Sequence, residues 1–252
     1  MSKSLWVLLT GYSYLFIWLI IFTQSYKNTY TKNKITLIMS SIFGLPASYS
    51  YSIFATILYC LLPTLGTFVV ATVAGVNIFS LFTWQGFQII PIILLSISAA
   101  MSLVAVFVVF INKLFPRIDI PGEMARIKWI EGIMQTPAKI SWLLPLLSAS
   151  LEEIFFRGAL LTGLLTAGMG TPKAIALVTI AFVLNQILLA DTWPQRLVLG
   201  YSSIAISLVG SIAFLASGSI IPSMLMHASF AGFYTSGSEN NQYSKDVHRL
   251  SN

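Results

Sequence analysis

The sequence has no Asp, Glu, Lys, Arg or His between residues 35 and 112. In a second stretch, residues 197–238, His227 is the only residue of these five types. Uncharged apolar runs of about 18 residues or more are long enough to cross a bilayer. Only 9% of all residues are charged, whereas soluble domains average roughly 25%. We therefore predict an all-α, multi-pass membrane helix bundle.

The hydropathy pattern predicts about seven membrane helices, with an eighth as the alternative. The predicted spans are residues 5–23, 47–76, 87–112, 141–165, 174–190, 197–216 and 220–234. Residues 35–45 are also apolar but end at Gly44-Leu45-Pro46, so they predict either an interfacial helix or the first part of a kinked span. The first apolar segment is too long for a signal-peptide core, and we expect it to remain as a membrane helix.

The basic residues indicate an orientation in the membrane. With seven spans, eleven lysines and arginines fall on one side: Lys27, Lys32, Lys34, Lys113, Arg117, Arg126, Lys128, Lys139, Arg196, Lys245 and Arg249. Only Lys3 and Lys173 fall on the other side, and Arg157 lies inside a span. Because cytoplasmic loops are enriched in Lys and Arg, we predict an outside N-terminus and a cytoplasmic C-terminus. We separately expect the protein to lie in the plasma membrane of a prokaryote. The same bias explains the net charge of +6 without a nucleic-acid partner.

The predicted domain organisation has three parts. Residues 1–140 contain the N-terminal membrane helices and a cytoplasmic loop, residues 141–237 contain a C-terminal group of core helices, and residues 238–252 form a polar tail. Within the loop, Ile127, Ile130, Ile133 and Met134 approximate one helical face. This pattern predicts an amphipathic helix lying on the cytoplasmic surface of the membrane.

Three charged residues occur together inside an apolar span: Glu152, Glu153 and Arg157. A charge at the centre of a membrane helix costs roughly 2.5–3.5 kcal/mol, so such residues pair or face a wet cavity. Glu153 and Arg157 are four residues apart, and this spacing predicts a salt bridge. Glu152 lies about 140° from Arg157 around the helix. We expect it to face a polar cavity, where a carboxylate suits activation of water as a general base. The alternative is a purely structural ion-pair cluster.

His227 is the other ionisable residue within the spans. It lies about 10 Å deep from one side, and Glu152 lies about 16 Å deep from the other. In a hydrocarbon core about 30 Å thick the two side chains can therefore meet. A lone membrane histidine can equally be a hydrogen-bonded packing residue.

The sequence Glu152-Glu153-x-x-x-Arg157-Gly158 resembles the first motif of the CAAX prenyl endopeptidase and bacteriocin-processing family (CPBP, Abi) of intramembrane proteases. Residues 217–222, which lead to His227, resemble the approach to the last motif of that family. The resemblance covers residues 142–231. It implies that Glu152 and a histidine activate water, that Glu153 and Arg157 support Glu152, and that His227 is retained in the catalytic set.

Two positions depart from the family pattern. The second motif begins at Phe182 and has Gln186 where the family has histidine, and the last has Ala231 where the family has asparagine. The resemblance gives Phe182 and Gln186 a binding role. Gln186 can still donate a hydrogen bond but cannot shuttle a proton. By the predicted bounds, Gln186 lies near the cytoplasmic end of its span, at a depth that fits Glu152 less well.

Two functions remain open at this point. One is a glutamate-type endopeptidase that hydrolyses a membrane-associated or lipidated peptide, and the other is a non-catalytic relative that binds such a peptide, as in bacteriocin immunity or regulation. A proton-coupled transporter is a third possibility, but the sequence has no inverted repeat to support it. We expect no cofactor and no metal, because one histidine, two glutamates and a glutamine are a poor ligand set for zinc.

Overall fold

The computed structural model describes residues 2–134, 136–137 and 141–236. Within these ranges the regular structure is entirely helical. The helices are α1 (Lys3–Lys27), α2 (Thr29–Phe43), α3 (Ala47–Ala74), α4 (Ile89–Leu114), α5 (Ile120–Ala125), α6 (Lys128–Met134), α7 (Leu143–Glu153), the π-helix π1 (Ile154–Leu161), α8 (Thr162–Thr166), α9 (Thr171–Ile187), α10 (Trp193–Ser217) and α11 (Ile221–Ser236). The predicted polar tail, residues 238–252, lies outside the described residues.

Four of the predicted spans are long and apolar enough to cross a membrane. They are Lys3–Tyr26 in α1, Ala47–Ala74, Gly86–Leu114 and Trp193–Ser217. The other three coincide with the continuous segment α7–π1–α8, with α9 and with α11. Helix α9 is apolar but, at 17 residues, is shorter than the four long candidate spans. The fold is thus a polytopic helical membrane bundle, as the sequence predicts.

The apolar segment before Pro46 forms the end of a separate helix, α2. This helix ends at Gly44, whose φ of 64° lies in the left-handed region that glycine adopts readily. None of the residues of α2 is buried. Its 15 residues extend about 22 Å, which is less than the hydrocarbon thickness of about 30 Å.

The loop between α4 and α7 contains two short helices, α5 and α6, where a single amphipathic helix was predicted. Ile127, Ile130 and Ile133 are buried, as one-sided periodicity predicts. Ile127 and Ile130 belong to a buried cluster that also includes Ile111 of α4 and Val198 of α10. The apolar face therefore packs on the protein, whereas we expected it to lie on the membrane surface. Periodicity shows that a face is apolar, but both lipid and protein can cover it.

In the core, α1 and α3 pack against the segment α7–π1–α8. Trp18, Phe155 and Phe156 are completely buried there. Gly66 and Gly163 permit this approach, because a Cβ atom at Gly163 would lie 2.8 Å from the Cβ of Ala74. Small residues at such contacts let membrane helices pack closely.

The segment from Ile154 to Leu161 is a π-helix that begins directly after Glu152 and Glu153. The hydroxyl of Thr162 donates to the carbonyl oxygen of Arg157 at 2.9 Å and so satisfies a backbone acceptor in this wider turn. Short π segments occur frequently at functional sites. Here the segment places Arg157 one wide turn beyond the two glutamates.

Candidate active site

The predicted ion pair between Glu153 and Arg157 is present. Nη1 of Arg157 lies 2.8 Å from Oε1 of Glu153, and both side chains are fully buried. Nη2 of Arg157 donates to the carbonyl oxygen of Ile206 in α10 at 3.2 Å. Helix α10 can approach because Gly210 lacks a side chain: a Cβ atom there would lie 3.3 Å from Nη2. Arg157 therefore links π1 to α10 as well as to Glu153.

Phe182 lies behind this ion pair. The guanidinium of Arg157 stacks over its ring, with Cζ 4.9 Å from the centroid, and the ring of His227 meets it edge-on at 5.5 Å. Phe182 is only 1% exposed and is not among the residues that line the cavity described below. Phe182 therefore contacts Arg157 and His227 and does not line the cavity, and its binding role stays a prediction.

His227 meets both glutamates, as the depth argument predicted. Its Nδ1 lies 3.0 Å from Oε1 of Glu153, and its Nε2 lies 3.9 Å from Oε2 of Glu152. The carboxylate of Glu153 can only accept, so we assign the proton of a neutral imidazole to Nδ1. Nε2 then presents a lone pair toward Glu152.

Glu152 is 4% exposed, and the amide of Gln186 binds it directly. Nε2 of Gln186 lies 3.3 Å from Oε1 and 3.2 Å from Oε2. The expectation that Gln186 lies at a poorly matching depth is therefore wrong. Helix α9 is short and ends at Ile187, so its last turn lies inside the bundle at the level of Glu152.

Two residues that sequence reasoning did not assign complete the surroundings of Glu152. The hydroxyl of Tyr59 in α3 donates to Oε1 of Glu152, and Nδ2 of Asn185 donates to the Tyr59 hydroxyl at 3.2 Å. The sequence could have marked Tyr59 as unusual, because tyrosines in membrane proteins are usually found at the membrane–water interface and not deep within a span. Tyr59 lies twelve residues into α3, about 18 Å along its axis. The sequence does not show which polar group its hydroxyl binds.

A cavity that is partly open to the outside of the bundle lies over Glu152. Its polar floor includes Glu152, Gln186 and His227, and Ala231 also lines it. Its other walls are mostly apolar and aromatic: Phe22, Tyr26, Ala55, Trp129, Ile133, Leu144 and Leu189. The expected polar cavity beside Glu152 is therefore present, enclosed by residues of both halves of the chain.

The donor set of this site fits a metal ion poorly. In the described ranges, no group of three or more His, Cys, Asp and Glu side chains is arranged to hold a metal. Glu153 is bound by Arg157 and by His227, so it is not available as a ligand. Glu152 and His227 alone fall short of the three protein ligands that catalytic zinc usually has.

The C-terminal part of the chain matches a known family. Residues 135–233 match the family model described as type II CAAX prenyl endopeptidase Rce1-like. The match contains Glu152, Gln186 and His227, whereas Tyr59 lies outside it. No curated protein and no solved structure matches the chain significantly. The resemblance predicted from the motifs is thus confirmed for residues 135–233, which are similar to the Rce1-like type II CAAX prenyl endopeptidases.

Proposed function

We propose that this protein is a glutamate-type intramembrane endopeptidase in which Glu152 activates water. One observation carries the proposal: Oε2 of Glu152 and Nε2 of His227 lie 3.9 Å apart and both line the cavity. In the assigned tautomer both atoms are acceptors, and 3.9 Å is too long for a hydrogen bond between them. A single water that donates one hydrogen to each atom satisfies both.

The reaction follows from that placement. Glu152 takes a proton from the bound water while the water oxygen attacks the carbonyl carbon of the peptide. The amide of Gln186, next to the attacked group, donates to the developing oxyanion. The carbon–nitrogen bond then breaks, Glu152 returns the proton to the leaving amine, and a carboxylic acid and an amine result. Proton transfer by a positioned side chain contributes about 10²- to 10⁴-fold in rate.

The cavity walls indicate the class of substrate. Aromatic and aliphatic side chains surround the polar floor, which favours a peptide with apolar residues or a lipid group next to the cleaved bond. An adjoining cavity shares Phe22, Tyr26, Trp129 and Leu189 with the first and is also lined by Lys128 and Arg196. Because basic residues favour the cytoplasmic face, we propose that the site opens to the cytoplasm of a prokaryotic plasma membrane and cleaves a membrane-associated or lipidated peptide there.

A second candidate function is binding without cleavage, as in bacteriocin immunity or regulation. Gln186 occupies the position of a family histidine and holds both oxygens of Glu152, but an amide cannot shuttle a proton. Ala231 lines the cavity where the family has asparagine, and a methyl side chain cannot donate to an oxyanion. The residues at these two positions favour a site that binds a peptide without cleaving it.

Cleavage in ¹⁸O-labelled water separates the two functions. The purified protein in lipid nanodiscs is incubated with a mass-encoded library of farnesylated, palmitoylated and unmodified peptides, and products are identified by mass spectrometry. The endopeptidase predicts products with one ¹⁸O in the new carboxyl group for the wild type and none for Glu152→Gln. If peptides are retained on the nanodiscs but the wild type yields no labelled product, the endopeptidase proposal is wrong and the binding function stands.

A further inference from the structure

We infer that Tyr59 is the positioning residue of Glu152, and that Asn185 sets the direction of its hydroxyl. The inference rests on the proposed function, because it concerns which oxygen of Glu152 faces the water. It places an essential group of the site in α3, outside the residues that match the family. The hydrogen-bond order Asn185 to Tyr59 to Glu152 carries it.

The direction of these hydrogen bonds follows from the groups involved. A tyrosine hydroxyl has one proton to donate and can also accept. Nδ2 of Asn185 donates to the Tyr59 oxygen at 3.2 Å, so the Tyr59 proton is left for Oε1 of Glu152. A carboxylate with no such partner turns easily about its last torsion, because that well is broad. The hydroxyl therefore holds Glu152 in one orientation.

In this orientation the two carboxylate oxygens of Glu152 have different hydrogen-bond partners. Oε1 accepts from both Tyr59 and Gln186. Oε2 accepts from Gln186 and faces Nε2 of His227. Since a carboxylate oxygen accepts two hydrogen bonds readily, Oε2 keeps one position for the water that attacks the substrate. Gln186 contacts both oxygens at nearly equal distances, so without Tyr59 the carboxylate could exchange its two oxygens and keep this contact.

The ring of Tyr59 is itself held firmly. It packs edge-on against Trp18 at 5.3 Å and against Phe22 at 4.8 Å, both in α1. Pro63 follows four residues later inside α3 and provides no N–H for the carbonyl of Tyr59, a feature that bends helices. The aromatic contacts and the proline together define where α3 brings the hydroxyl.

The hydroxyl also offsets the two departures from the family pattern. Gln186 replaces the histidine of the family, and Ala231 replaces its asparagine. The cavity therefore lacks one titratable donor and one amide donor that the family pattern has. Tyr59 supplies a neutral donor to the buried carboxylate without bringing a further charge into the membrane. A buried carboxylate needs such hydrogen bonds, because an uncompensated one is strongly unfavourable.

The test compares Tyr59→Phe with Tyr14→Phe. Tyr14 is matched: it is a half-buried membrane tyrosine whose hydroxyl donates to the backbone carbonyl of Leu62 in α3 at 2.8 Å, away from Glu152. We expect Tyr59→Phe to lower kcat about 10- to 100-fold, the effect of losing a hydrogen bond to a charged group, with little change in KM. Tyr14→Phe should leave kcat unchanged. Wild-type kcat in Tyr59→Phe would overturn the inference.

A second measurement does not depend on catalysis. The infrared carboxylate band of Glu152 is identified as the band that Glu152→Gln removes. We expect Tyr59→Phe to shift this band and Tyr14→Phe to leave it in place, whether or not the protein cleaves peptides. An unshifted band in Tyr59→Phe would overturn the inference, whereas a shifted band with no cleavage by the wild type would overturn only the endopeptidase proposal.

Discussion

Nδ1 of His227 lies 3.0 Å from Oε1 of Glu153, the same oxygen that pairs with Arg157 at 2.8 Å. One carboxylate oxygen thus orients an imidazole from α11 and neutralises a guanidinium on its own helix. Because Glu153 is completely buried, no solvent competes for that oxygen. The two adjacent glutamates therefore have different tasks: Glu153 holds the site together, and Glu152 faces the cavity.

Removing the carboxylate of Glu152 should affect activity and not folding. Glu152→Gln keeps the size of the side chain and an oxygen that accepts from Tyr59, so we expect a melting temperature close to that of the wild type. Loss of the general base should lower kcat by about 10²-fold or more. Peptide hydrolysis in nanodiscs and thermal unfolding measure the two effects. Unchanged hydrolysis would show that another group activates the water.

Removing Arg157 should instead affect folding. Arg157→Ala leaves Glu153 buried without its cation, and breaking a buried ion pair costs about 3–5 kcal/mol. We expect little folded protein in membranes, measured by fluorescence-detected gel filtration. The control is Arg126→Ala: its side chain is 65% exposed and pairs with Glu123 at 2.7 Å, and such surface pairs contribute about 0–1 kcal/mol. Equal yields of the two variants would contradict a stabilising role for the buried pair.

Gln186 permits a test of the departure from the family pattern. Gln186→Leu removes the amide donor that binds both oxygens of Glu152, and loss of such a donor costs about 10²- to 10³-fold in rate. Gln186→His restores a side chain that can both donate and take up a proton. We expect the histidine variant to hydrolyse peptides at least as fast as the wild type and the leucine variant to be far slower. Equal rates for the two variants would exclude a catalytic role for this position.

Gly163 tests the helix contact that brings the two halves of the chain together. A Cβ atom there would lie 2.8 Å from Ala74 Cβ and 3.1 Å from Cγ1 of Val7. Gly163→Ala should therefore push α8 away from α1 and α3, and overpacking of this kind costs about 1–3 kcal/mol. Thermal unfolding in detergent measures the loss. Gly232→Ala is the matched control, since nothing lies within 4 Å of the added Cβ atom, and it should not lower the melting temperature.

Local spacing made part of the site predictable. The pairing of Glu153 with Arg157 follows from a separation of four residues on one helix, and the cost of charge in hydrocarbon made a polar cavity at Glu152 the expected surrounding. The depth estimate also placed His227 near the glutamates. The same estimate failed for Gln186, because the predicted span extended to residue 190, whereas α9 ends at Ile187.

Hydropathy and helix geometry act over a few turns. They were therefore enough to predict apolar membrane helices and to place Glu153 and Arg157 on one helix face. The contact of Tyr59 with Glu152, 93 residues away, and the packing of α5 and α6 against α4 and α10 became apparent from the packed bundle. Contacts between helices depend on how closely their surfaces approach, and here that approach is governed by Gly66 and Gly163. The partner of a buried hydroxyl is therefore a property of the packed bundle, and no spacing along the chain specifies it.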